Sequence, residues 1–154
     1  CGSRAGNPMA RSEKEAMYEM TISLNPYLTF RDNAREAMSF YRSVFGGELA
    51  IKTYAELRGD DPAKADKVVH AVLTTPDGHT LMGADAPDPA KYEPRAGFSI
   101  SLSGDDEERL RAYWERLSDG GTIVMPLERA PWGDVFGKCV DRFGTSWLVN
   151  VEGA

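Results

Sequence analysis

Few residues of this chain could do chemistry unaided. Its 154 residues include two histidines, two cysteines and three tryptophans. His70 lies in KVVHAVLTT. An imidazole with an unperturbed pKa of about 6.5 can act as a general base or anchor a bound molecule, and the plainer reading is a partly buried ring bonded to a neighbour. His79 follows Pro76-Asp77-Gly78, a turn composition that places it in solvent. Cys139 has no histidine or cation at a useful spacing and reads as a small core residue rather than a nucleophile. Cys1 and Cys139 make neither a metal spacing nor a disulfide framework, which fits a reducing cytoplasm. Trp132, in a Pro-Trp-Gly turn ahead of Phe136, could roof a binding site. Trp114 falls in a helical apolar stripe and Trp147 on a strand face shared with Val149, so both read as core.

These side chains need elements to hold them. Ile22–Phe30 alternates with period two, predicting a strand with Leu24, Leu28 and Phe30 toward a helix and Asn25, Tyr27 and Thr29 on the other face. Asp32 or Asn33 can cap a helix over Ala34–Phe45, which Gly46-Gly47 stops. Strands follow at Glu48–Tyr54, Val68–Thr75 and His79–Ala84, with a polar loop at Arg58–Lys67. A Pro-rich stretch, 87–95, reads as a linker. The grammar then repeats. There is a strand around Phe98–Leu102 and a helix to Leu117 capped by Asp105 or Asp106. Gly120-Gly121 stops it, and strands follow at Thr122–Glu128, Phe136–Asp141 and Ser146–Val151. Phe40-Tyr41 matches Tyr113-Trp114 at a period of about 73 residues. The expectation is an α+β fold: one domain over 20–152, made of two β-α-β-β-β modules (20–86 and 96–152). Their sheets form a mixed, cup-shaped surface with helices outside. The partly polar concave face suits a small, partly apolar ligand; the alternative is a cup filled by its own side chains. Residues 1–19 show no apolar period and read as an added or extended start that contributes little to the core.

Composition narrows the partners. Lysine and arginine number 18 against 24 acids, a formal net charge of −6, which gives no pull toward a phosphate backbone, so no nucleic acid is expected. No apolar run approaches the roughly 18–20 residues of a membrane span. The expected location is cytoplasmic.

The paired grammar, with NPYLTF, AREAMSFYRSVFGGEL, KVVHAVLTT, HTLMGADAP and MPLERAPWGDVFGKCVDRFGTSWLVN, resembles the vicinal oxygen chelate (glyoxalase/bleomycin-resistance) superfamily. Within it the resemblance is to the PhnB-like branch, some members of which carry a 3-demethylubiquinone 3-methyltransferase label. The resemblance implies a metal-binding cup in the enzymes and points to a homodimer. Matching strands to a metal-dependent glyoxalase pattern puts the ligand positions on Asn25, Met82, Gly97 and Leu148, which lack the imidazole or carboxylate donors a divalent metal needs. The branch often follows His with Ala and Glu; here the Glu position is Val72. A Gly-rich loop between a parallel strand and a helix, as a typical methyltransferase has, is missing. The reading is therefore a metal-free, cofactor-free domain of unestablished activity. Asn25, Tyr27, His70, Trp132 and Phe136 are the candidate ligand contacts. A metal-dependent isomerase, lyase or dioxygenase is the enzyme alternative.

Overall fold

The computed structural model describes residues 22–55 and 66–153. The expectations for residues 1–19 and for most of the Arg58–Lys67 loop lie outside the described residues.

The order is β1 (Tyr27–Phe30), α1 (Ala34–Phe45), β2 (Glu48–Thr53), β3 (Val68–Thr74), β4 (Thr80–Asp85), a short 3-10 turn (Pro89–Lys91), β5 (Ile100–Gly104), α2 (Glu107–Ser118), β6 (Thr122–Arg129), β7 (Val135–Val140) and β8 (Ser146–Val151). This is the expected β-α-β-β-β pair. The strands form two four-stranded mixed sheets, ordered β1-β4-β3-β2 and β5-β8-β7-β6. β1 runs parallel to β4 and β5 parallel to β8; the other pairings are antiparallel.

β1 is shorter than the alternation predicts. Pro26 has no N–H to give a ladder. Its carbonyl accepts from Met82 N–H at 3.0 Å, and pairing starts at the next residue. Leu24, expected on the helix side, is 99% exposed instead. The α1 cap also differs. Asn33 occupies the cap position but makes no side-chain bond there. Buried Asp85 supplies the acceptor, taking Ala34 N–H and Val68 N–H, each at 2.9 Å. At α2 the expected Asp106 caps Arg109 N–H at 3.2 Å.

The helix exits repeat a close approach. A Cβ on Gly47 would stand 2.0 Å from the Thr74 carbonyl oxygen, and one on Gly121 would stand 2.2 Å from that of Val140. Only glycine lets each helix return so tightly beside its sheet.

The helix-side faces of both sheets share one core, which runs from Leu28, Phe30, Met38 and Tyr41 to Trp114, Leu117, Trp147 and Val149. The modules meet through that layer. Phe45 packs on Tyr113 at 5.0 Å and on Trp147 at 5.5 Å between ring centroids. Tyr41, on α1, sends its hydroxyl into the second module, 2.6 Å from Asp141 Oδ2. Asp141 also accepts from Trp147 Nε1 at 2.8 Å, Phe143 N–H at 2.8 Å and Thr145 N–H at 3.0 Å. Burial, then the Asp141 charge, drives the Tyr41 hydroxyl pKa upward, so it stays a donor. Arg95, in the connection between modules, donates to the Thr29 carbonyl on one side and to the Phe143 carbonyl, at 2.5 Å, on the other. Its guanidinium lies over the Phe30 ring. With the helix sides pooled, the opposite face of each sheet points away from the shared core.

Candidate functional site

The register sorts side chains onto those outward faces. In the first sheet Tyr27 stands opposite Met82, Met82 opposite Val72, and His70 opposite Lys52. Leu28 and Phe30 alternate with Tyr27 and are buried, so this face is the one away from α1. The Tyr27 and His70 rings stack, 5.7 Å between centroids and 21° between planes. Tyr27 Oη stands 3.5 Å from His70 Nδ1, at the outer limit of a hydrogen bond. Burial, then the nearby Tyr54, raises the Tyr27 pKa above its ordinary value, so it presents a neutral O–H.

In the second sheet two rows cross the outward face. One runs Ser101, Leu148, Lys138, Met125; the next runs Ser103, Asn150, Phe136, Glu128. Trp132 packs edge-on against Phe136 at 5.7 Å between centroids and is 62% exposed. Asn150 donates to Asp134 Oδ2 at 3.1 Å and Gly153 N–H to Oδ1 at 2.9 Å. The Gly153 bond, then the Asn150 bond, holds Asp134 below the usual carboxylate range.

The five residues expected from sequence thus fall into two pairs and a single. Tyr27 and His70 meet on one sheet, and Trp132 and Phe136 on the other. Asn25 lies ahead of β1, donates to Ser23 Oγ at 2.7 Å, and lines an open groove of about 1030 Å³. That groove runs from residues 22–26 and the β3–β4 turn to β5 and the start of α2. It contains Asn25 but none of the other four, and it meets the second outward face only at the β5 edge, through Ser101 and Ser103. Sequence reasoning passed over Lys138, Met125 and Ser101. For Lys138 the signal was present in the alternation of Phe136, Lys138 and Val140 with buried Gly137 and Cys139.

The positions matched to a metal site do not fit one. Asn25 bonds to Ser23, Gly97 takes φ 78° in a loop and has no side chain, Leu148 has no donor atom, and Met82 offers only a thioether. Among the described residues no three of His, Cys, Asp and Glu gather. A catalytic first-row metal needs about three strong protein ligands. Elemental analysis of the purified protein is expected to find well under one equivalent of zinc, nickel, iron or manganese. A stoichiometric metal lost on His70→Ala would refute this. Cys139 is fully buried, and that burial, then Asp141, pushes its thiol up to about 11, which suits a core residue and not a nucleophile. No described helix is long and apolar enough to cross a membrane.

Residues 22–150 match the family described as 3-demethylubiquinone-9 3-methyltransferase. The chain is 28% identical over 142 residues to Protein YjdN of Escherichia coli K12, covering 84% of this chain and 95% of that protein. It is similar to the crystal structure of protein PA1353 from Pseudomonas aeruginosa, with 37% identity, a TM-score of 0.75, and coverage of 87% of this chain and 100% of that one. A Bacillus cereus structure described as a putative 3-demethylubiquinone-9 3-methyltransferase, PhnB protein, follows at 28% identity and TM-score 0.71, covering 85% and 100%. The fosfomycin resistance protein FosX of Listeria monocytogenes shares the fold at 13% identity and TM-score 0.59, covering 87% and 94%.

Proposed function

This chain belongs to the family described as 3-demethylubiquinone-9 3-methyltransferase, and from that premise we propose that it is a PhnB-like domain binding a small, partly apolar molecule on its outward sheet faces. The observation that carries the reading is the pair of aromatic platforms. Tyr27 is 51% and Trp132 62% exposed, on faces that the shared core does not use. Exposed aromatic groups beside polar ones are what ligand recognition needs. Methyl transfer finds no support in the turns. β1 enters α1 through Arg31-Asp32-Asn33, and β5 enters α2 through Asp105-Asp106; neither is a Gly-rich phosphate cradle.

The outward faces also favour a homodimer, in which the first module of one copy covers the second module of the other. Tyr27 and His70 would then face Trp132 and Phe136 across one cup, twice per dimer by symmetry. Light scattering at micromolar concentration is expected to give twice the 16.9 kDa of one chain. A monomer under those conditions would overturn the assembly.

Native mass spectrometry of the purified protein tests the binding reading. A retained or added small molecule should stay with the wild type and be weakened about tenfold by Tyr27→Ala or Phe136→Ala. Binding that neither variant changes would remove the outward faces from the site.

A further inference from the structure

We infer that the ligand of this cup is an organic anion, with its acid group held by Lys138 and its apolar part on Phe136, Leu148 and Met125. The inference rests on the binding reading above and names the chemical class of its ligand.

Lys138 sits mid-strand on β7, half-buried, between Leu148 and Met125 across the sheet. Among the described residues it makes no ion pair and no side-chain hydrogen bond. Among the described residues Arg31, Arg35, Arg42, Lys52, Lys91 and Arg129 also lack such a partner, but all six are exposed to solvent, whereas Lys138 is half-buried. Lys67, Arg109, Arg111 and Arg142 each pair with a carboxylate, and Arg95 and Arg116 donate to carbonyls. The carboxylate on the neighbouring row, Glu128, stands opposite Phe136 and forms no ion pair with Lys138. Asp134 is already bonded by Asn150 and Gly153. In a chain with a formal net charge of −6, an ammonium without a counterion on an apolar floor is a specific placement.

Its chemistry selects the ligand. An apolar group settling over Lys138 would strip water from the charge and return nothing, and a neutral carbonyl or hydroxyl would return only a weaker hydrogen bond. A carboxylate, phosphonate or sulfonate returns a charge-assisted hydrogen bond. Ser101, in the same row beyond Leu148, offers a hydroxyl to a second acid oxygen. Phe136 and Trp132, in and beside the next row, offer an apolar platform.

The test uses matched probes: phenylacetate, 3-phenylpropionate and 4-phenylbutyrate, each against its primary amide, titrated into the full chain by calorimetry. At least one acid should bind tenfold or more tighter than its amide, and the preference should shrink as salt rises. Lys138→Gln should remove the preference while leaving amide binding in place, and Lys138→Arg should restore it. Phe136→Ala should weaken acid and amide alike. Circular dichroism and the melting temperature establish that each variant is folded. Acids and amides binding equally would overturn the anion inference and leave the cup standing. If no probe of either kind binds, the cup reading fails and the role of Lys138 fails with it.

Discussion

Asp141→Ala is expected to lower the unfolding free energy by about 3–5 kcal/mol, the scale of losing one side of a buried charged network. Asp141 is 3% exposed and accepts from Tyr41, Trp147 and two backbone N–H groups. Alanine fills none of these roles. It leaves an indole N–H, the phenol hydroxyl and two amides to find other acceptors in a packed interior; for the phenol, only Thr145 Oγ1 at 2.9 Å remains close. The damage falls on both modules, because Tyr41 comes from α1 and the other donors from the β7–β8 turn and β8. Urea unfolding should show the loss as a lower midpoint. Tyr41→Phe removes one donor and its partner bond together, and should cost only about 1 kcal/mol. Equal losses for the two variants would mean that Asp141 matters only through Tyr41.

Gly47→Ala is expected to cost about 2–4 kcal/mol. Its φ of 99° is hard for an L side chain, and the new Cβ would stand 2.0 Å from the Thr74 carbonyl oxygen. Backbone, unlike the tip of a flexible side chain, has little room to yield. Gly121→Ala meets the Val140 oxygen at 2.2 Å and should lose a comparable amount. Gly78→Ala is the control. It keeps a positive φ of 87° with nothing within 4 Å, so it isolates backbone strain at about 1 kcal/mol. If Gly47→Ala melts no lower than Gly78→Ala, the close approach carries no weight.

The elements were largely legible in the sequence, because a helical stripe such as Ala37, Met38, Tyr41 and Val44 follows directly from the period of the backbone. The same alternation placed Tyr27 and Thr29 opposite Leu28 and Phe30. It misread Leu24, because period two continues through Pro26 on paper while the ladder stops at a residue without an N–H. The hidden acids were not legible. Asp85 reaches across 51 residues to cap α1, and Asp141 across 100 to hold Tyr41. Such partners are set by tertiary packing, and no local pattern records them. Alternation also tells which face a residue takes but not which sheet lies opposite. For that reason Tyr27 with His70, and Trp132 with Phe136, were foreseen as contacts but not as two separate pairs.

Arg95 gives the connection between modules a further meaning. It grips the Thr29 and Phe143 carbonyls and covers Phe30, while Lys91, four residues earlier in the chain, is exposed on the 3-10 turn. A protease cutting at Lys91 would break the covalent path between the halves and leave Arg95, the Tyr41–Asp141 bond and the shared aromatic layer in place. The nicked chain would behave as a two-piece protein that stays assembled under native conditions and parts only in denaturant. That makes this turn the natural place to split the chain into two separately produced fragments that find each other.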